Sequence, residues 1–171
     1  MIRARRRIIA ALGLIAVGLA SAVLLGAGAS GPKPRPVPYP EGYRSWTHVK
    51  SMAILSPEHP LFASFGGIHH VYANDKALIA LRSGKPHAEG SILVFDLLEA
   101  EQSGGAATEG RRKFTAVMVK SRDYADTGKW GFEAFAENSN TRRVVKDAAS
   151  ECFACHASQE DGGFVFTRWR P

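Results

Sequence analysis

Apolar and polar side chains alternate from residue 46 to residue 55, the two-residue period of a strand with unlike faces. Val49, Ser51, Ala53 and Leu55 fall on one face; Trp46, His48, Lys50, Met52 and Ile54 fall on the other. A second short strand is predicted over 67–73, carried by Ile68, Val71 and Tyr72. The densest apolar run lies within 91–100, where Ile92, Leu93, Val94, Phe95, Leu97 and Leu98 crowd together. Residues 114–120 follow a polar, glycine-rich loop at 102–110, so these two runs predict a hairpin. Segments 130–136 and 164–169 bring the count to about six strands. Helical signals are fewer. Asn74 is placed to cap a helix over 75–82 that Gly84 closes, 141–146 has helical character, and 152–156 predicts a short helix capped by Ser150. The fold class expected is α+β: an antiparallel sheet of about five to six strands with a few helices. So many alternating segments exclude a helical bundle.

The N-terminus has a different pattern. Arg3, Arg5, Arg6 and Arg7 precede an apolar run over 8–29 that ends in Ala27-Gly28-Ala29. A basic start, an apolar middle and a small-x-small end predict a signal peptide over 1–29, cleaved before Ser30, with Ala20-Ser21-Ala22 as an earlier site. The alternative is an uncleaved anchor formed by residues 8–29, since about 20 apolar residues span a bilayer. Either way the arginines stay inside and the remainder crosses, which places the protein in the periplasm. Residues 30–40, with proline at every second position from Pro32 to Pro40, are expected to be a stiff extended linker, and 41–171 a single domain.

Charge changes the picture little. The formal net charge is +6, and four of those charges belong to the leading arginines, so the exported part carries +2. Nucleic acid is not an implied partner, and Arg111-Arg112-Lys113 and Arg142-Arg143 are expected to be solvated surface, with a haem-propionate or redox-partner contact as the alternative.

The chemistry is concentrated at Cys152-Phe153-Ala154-Cys155-His156, a C-x-x-C-H motif that uses both cysteines of the chain. Two thiols one helical turn apart can each bond a haem vinyl group, and the adjacent histidine can ligate the iron from the proximal side. The other readings are a redox dithiol, a structural disulfide or half of a zinc site. A dithiol needs no histidine in this slot, and zinc would have to recruit distant ligands. One covalently bound c-type haem is therefore expected, with Cys152, Cys155 and His156 holding it and His156 as the iron ligand.

Several segments around this motif resemble the cytochrome P-460 family, with its relative cytochrome c′-beta. They are Tyr39-Pro40-Glu41-Gly42-Tyr43-Arg44-Ser45-Trp46, then His70-Val71-Tyr72-Ala73-Asn74, then Glu89-Gly90-Ser91-Ile92-Leu93-Val94. Tyr124-Ala125, Trp130-Gly131-Phe132, the C-x-x-C-H motif and Phe164-Val165-Phe166-Thr167-Arg168 follow in the same order. The resemblance implies an antiparallel sheet packed with helices, often a homodimer, and a five-coordinate haem whose only protein ligand is His156. It implies an open haem face for a small nitrogen-containing ligand or substrate, and a redox partner protein where electrons must leave. Members that look like cytochrome P-460 oxidise hydroxylamine; members that look like cytochrome c′-beta bind nitric oxide or carbon monoxide. The oxidising members carry a lysine–haem cross-link whose position falls just before Ser83-Gly84. This chain has Leu81 and Arg82 there, and a permanently protonated guanidinium is no substitute nucleophile. The alternatives to an oxidase are thus a gas-binding protein and an electron-transfer cytochrome.

Over the open face, His70 and Glu133 are the candidate catalytic residues. His69 and His70 point to opposite faces of their strand, so one of them can approach the iron; the plain alternative is a structural histidine. Glu133, amid apolar neighbours, can take protons from a bound nitrogen compound or serve as a salt-bridged strand carboxylate. Met52 and Met118 are thioether candidates for a sixth ligand, with core filling as their ordinary role. Phe62, Phe65 and Phe95 can form an apolar ceiling or simply core.

Overall fold

The computed structural model describes residues 35–170. The expected signal peptide or anchor, and the linker as far as residue 34, lie outside them. Among the described residues no helix is long and apolar enough to cross a membrane.

Five strands form one antiparallel sheet in chain order: β1 (Thr47–Ile54), β2 (Gly67–Ala73), β3 (Ile92–Ser103), β4 (Ala106–Lys120) and β5 (Trp130–Ala136). Each strand pairs with the next, the arrangement that short connections allow. Helix α1 (Phe62–Phe65) precedes β2 and α2 (Asp75–Ser83) follows it. Asn74 caps α2 as its sequence predicts: its Oδ1 accepts from Ala77 N at 3.0 Å, and Gly84 ends the helix at φ 66°. The same Oδ1 accepts from Ile92 N, and Asn74 Nδ2 donates to Gly90 O, so one side chain ties α2 to the start of β3.

One sheet face carries Val71, Ala73, Leu93, Met118, Trp130 and Phe132, the main core. Leu78 and Leu81 of α2 pack on it, with Phe153, Phe164 and Trp169 of the C-terminal segment. On the other face Tyr43, Asp96 and Arg112 form a buried network, with Tyr43 Oη donating to Asp96 Oδ2 at 2.8 Å and Arg112 paired to the same carboxylate. Val37, Val117 and Phe135 form a smaller core beside it.

Four expectations about elements are corrected. The glycine-rich stretch 102–110 is not a loop, because β3 and β4 pair through it to a two-residue turn at Gly104 (φ 59°) and Gly105 (φ 83°). Positive φ at both turn residues is the type I′ geometry that matches strand twist. The hairpin therefore runs beyond its neighbours as a two-stranded ribbon, since β2 pairs β3 only as far as Leu98 and β5 meets β4 only from Phe114. Residues 164–169 form no strand; Phe164 at φ 67° breaks the run, while Val165 and Trp169 pack on the core. Residues 141–146 are not helical but lie along the open edge of β5, with Val144 N donating to Ala134 O and Ala136 N to Arg142 O. Residues 35–40, expected as part of a stiff extended linker, dock on the domain. Val37 is buried, Tyr39 meets the Phe135 ring edge-on at 5.1 Å, and Tyr124 Oη donates to Arg35 O. Extended proline-rich chain needs no ladder partners, so it can lie across a sheet face as readily as it can span solvent.

β1 also departs from simple alternation. His48 pairs Tyr72 and Lys50 pairs Val71, leaving Val49 as a bulge residue. Val49 joins the main core, and His48 moves onto the face of Ser51 rather than that of Lys50 and Met52.

Candidate haem-binding site

The C-x-x-C-H segment lies on a continuous helical stretch, a π-helical turn over Ala149–Phe153 leading into α3 (Ala154–His156). Its cap is Asp147 rather than the expected Ser150. Asp147 Oδ1 accepts from Ala149 N and Oδ2 accepts from the Ser150 hydroxyl at 2.6 Å, so Ser150 is inside the helix and serves the cap indirectly. Ser150 and the Ala149 N–H together hold the Asp147 carboxyl below its usual range.

Both thiols are free, Cys152 half-buried against the main core and Cys155 exposed. Burial, reinforced by the nearby Glu151 and Glu133 carboxylates, pushes the Cys152 thiol up to about 11. A disulfide oxidoreductase needs an accessible thiol whose pKa is lowered, so the dithiol reading has no support here. Among the described residues no group of three or more histidine, cysteine, aspartate or glutamate side chains is placed to hold a metal ion, so the two thiols have no further zinc ligands gathered beside them.

His156 is oriented by backbone. Its Nδ1 lies 2.7 Å from Phe164 O. A carbonyl only accepts, so Nδ1 carries the proton and Nε2 is left bare; a hydrogen bond of this kind usually fixes a histidine ligand in tautomer and orientation. Gly163 and Phe164, both at φ 67°, turn the chain so that Phe164 O faces the ring. A non-glycine residue in that region costs about 1 kcal/mol. Burial lowers the His156 pKa against the opposing effect of the Phe164 carbonyl, which keeps the ring neutral at neutral pH and free to ligate. Phe132 flanks the imidazole at 4.9 Å and Phe166 at 5.1 Å, and Phe166 is 50% exposed. Two free thiols, a bare imidazole nitrogen and apolar aromatic walls are a donor set that fits a haem. The contribution of Phe164 was not legible in the sequence, where the only signal was the Gly162-Gly163 pair before it.

The distal candidates separate. His69 faces the same side of the sheet as Phe132; it is 4% exposed, 4.5 Å from the Phe95 ring, and its Nε2 has no hydrogen-bond partner among the described residues. Phe65 and Phe114 join Phe95 there, whereas Phe62 forms no aromatic pair with that group among the described residues. His70 and Glu133 do not belong to this face. His70 is turned to the opposite side, where it contacts Ser51 and Glu109. Glu133 shares the side of Val117 and Phe135, and its carboxylate accepts from Arg143 Nη1 at 2.7 Å and from Ala134 N at 2.9 Å. By strand parity both side chains leave the sheet on the side opposite Phe132, although the Glu133 carboxylate still acts on the Cys152 thiol. Met118 is buried in the core, and Met52 is 45% exposed at the β1 edge. Leu81 packs on the main core and the Arg82 guanidinium stacks on Trp169 at 4.6 Å.

No curated protein matches the chain. A family model described as cytochrome P460 matches residues 40–167, most of the chain and the whole of the sheet and the C-x-x-C-H helix. With that match, and with a site whose donors fit the cofactor, the chain belongs to the cytochrome P460 family and is a haem-binding, iron-binding cytochrome.

Proposed function

We propose that the protein is an exported cytochrome with one c-type haem, bonded through Cys152 and Cys155 and ligated by His156, that binds small nitrogen compounds such as nitric oxide on its open side. The 2.7 Å hydrogen bond from His156 Nδ1 to Phe164 O carries this assignment, because it presents one bare imidazole nitrogen beside two free thiols. When bound, the haem iron supplies the ligand-binding and redox chemistry. The chain orients the proximal ring through Phe164, excludes water with Phe132 and Phe166, and presents His69 as an unpartnered polar group on the same sheet face.

Binding is favoured over hydroxylamine oxidation by the residues before Ser83. Leu81 offers no nucleophile and Arg82 is committed to Trp169, so neither replaces a cross-linking lysine. Glu133, held by Arg143, is not free to take protons from a bound substrate. Electron transfer with a methionine sixth ligand has less support, since Met118 is packed into the core. Export to the periplasm, a redox partner and a homodimer belong to the same proposal, and a membrane contact follows only if residues 8–29 are retained.

The test is the purified exported protein. Expected are haem that survives a denaturing gel, a five-coordinate ferrous spectrum that titrates with nitric oxide, and no turnover of hydroxylamine. Loss of covalent haem in Cys152→Ala/Cys155→Ala is part of the expectation. Haem retained in that double variant, or a low-spin six-coordinate ferrous spectrum indifferent to nitric oxide, overturns the assignment; steady hydroxylamine turnover would establish an oxidase instead.

A further inference from the structure

The sheet face turned away from His156 holds a second constellation. His48 Nε2 lies 2.9 Å from Ser51 Oγ, Ser51 Oγ lies 2.6 Å from His70 Nδ1, and His70 Nε2 lies 3.1 Å from Glu109 Oε1. Directions follow from the last pair. Glu109 is a carboxylate and accepts from the ring nitrogen it touches. His70 therefore carries its proton on Nε2 and leaves Nδ1 bare. Ser51 donates to that Nδ1 and accepts from His48. Two imidazole nitrogens from adjacent strands thus converge on one small oxygen, and a carboxylate orients one ring from behind.

Local sequence alone would not assemble this. Residues three apart on a strand face opposite ways, and only the bulge at Val49 brings His48 to the side of Ser51. Bulges re-aim side chains in this manner and concentrate at functional sites. The group opens onto a cleft of ≈ 440 Å³ that Arg44, Tyr72 and Leu98 also line. It is accessible to a solute, and nothing in the haem chemistry uses it.

We propose that His48 and His70 form a site for a borderline divalent transition-metal ion, of the Cu²⁺ or Zn²⁺ class, with Glu109 as a positioning residue behind His70. Imidazole nitrogen suits these ions, whereas Mg²⁺ and Ca²⁺ need oxygen donors that the cleft does not gather. A histidine ligand that donates its other ring N–H to a carboxylate is the arrangement such sites use. His48 binds through Nε2 after its proton moves to Nδ1, a change of tautomer with no change of charge. Ser51 gives up its place between the nitrogens or remains as a weak oxygen donor. Three or more ligating side chains do not gather at one point among the described residues, so this is a two-histidine centre whose other positions are left to water.

The test uses the haem-loaded full chain, with His156 and both cysteines occupied, titrated with Zn²⁺ by calorimetry and with Cu²⁺ under electron paramagnetic resonance. One ion per chain is expected, with a two-nitrogen coupling pattern for Cu²⁺ and an unchanged Soret band. His48→Ala and His70→Ala should each lower affinity at least about tenfold and remove that pattern, and Glu109→Gln should lower affinity roughly 10- to 100-fold without changing stoichiometry. His59→Ala, whose ring accepts only from Leu61 N, should match wild type. No bound ion, or affinities and copper spectra in both histidine variants equal to wild type, overturns the proposal.

Discussion

Glu133→Gln separates a structural carboxylate from a catalytic one. Glu133 has a side chain 10% exposed and accepts three N–H groups, from Arg143, Ala134 and, at 3.4 Å, Val145. Glutamine keeps one acceptor oxygen and turns an amide NH₂ toward one of those donors, so one donor is left facing another. Hydrogen bonds to a charged group contribute about 1.5–3 kcal/mol. Arg143 is 38% exposed and also donates to Val37 O at 2.8 Å, so water and that carbonyl recover part of the loss. The expected cost is about 1.5 kcal/mol, with a coupling to Arg143→Met of about 1 kcal/mol in a double-mutant cycle. In urea denaturation followed by far-UV circular dichroism, this is a midpoint shift of about 0.7 M for a slope near 2 kcal/mol/M. Nitric oxide affinity should be unchanged. A variant with wild-type stability but tenfold altered ligand binding would refute the assignment and return Glu133 to the haem pocket.

Asn74→Ala removes the α2 cap together with the bonds to Ile92 N and Gly90 O; thermal unfolding should report a loss of about 2–3 kcal/mol, larger than a cap alone, and a loss under about 0.5 kcal/mol would mean that water replaces all three bonds. His69, whose pKa is lowered to about 4 by burial first and then by Lys50 and His70, is neutral in the folded protein while an unfolded histidine protonates near 6.5. The unfolded chain therefore binds the proton first, and stability that is full above about pH 6.5 falls as the pH drops toward 4, by about 3 kcal/mol from this group. Denaturation midpoints across that range should decline less steeply in His69→Phe than in wild type; equal slopes would show that His69 is already protonated or solvated when folded.

Much of the sheet was legible because strand periodicity is a local property. Gly67–Ala73 and Trp130–Ala136 begin and end where the pattern puts them, and Asn74 and Gly84 bracket α2. What failed depended on partners far along the chain. The Val49 bulge exists only in register with β2, so His48 was assigned to the wrong face. Residues 164–169 alternate like a strand, yet their backbone turns at Phe164 to meet His156 and Val165 fills the core. Residues 141–146 have helical composition, but the open edge of β5 offers them backbone partners. At the proposed site, the C-x-x-C-H pattern is visible in the sequence, whereas the carbonyl that orients His156 leaves no mark in side-chain identity.

The β3–β4 ribbon extends past the support of the rest of the sheet, and residues 101–109 are exposed throughout. A two-stranded segment alone is marginal in water, so its amides should exchange with solvent far sooner than those beneath α2. Glu109, on this arm, is also the group that grips His70. Whatever tightens the hold of Glu109 on His70 must slow exchange in the arm, and by linkage whatever frays the arm must loosen that hold by the same free energy. The tip of the hairpin is thereby a remote gauge of events at the foot of β2.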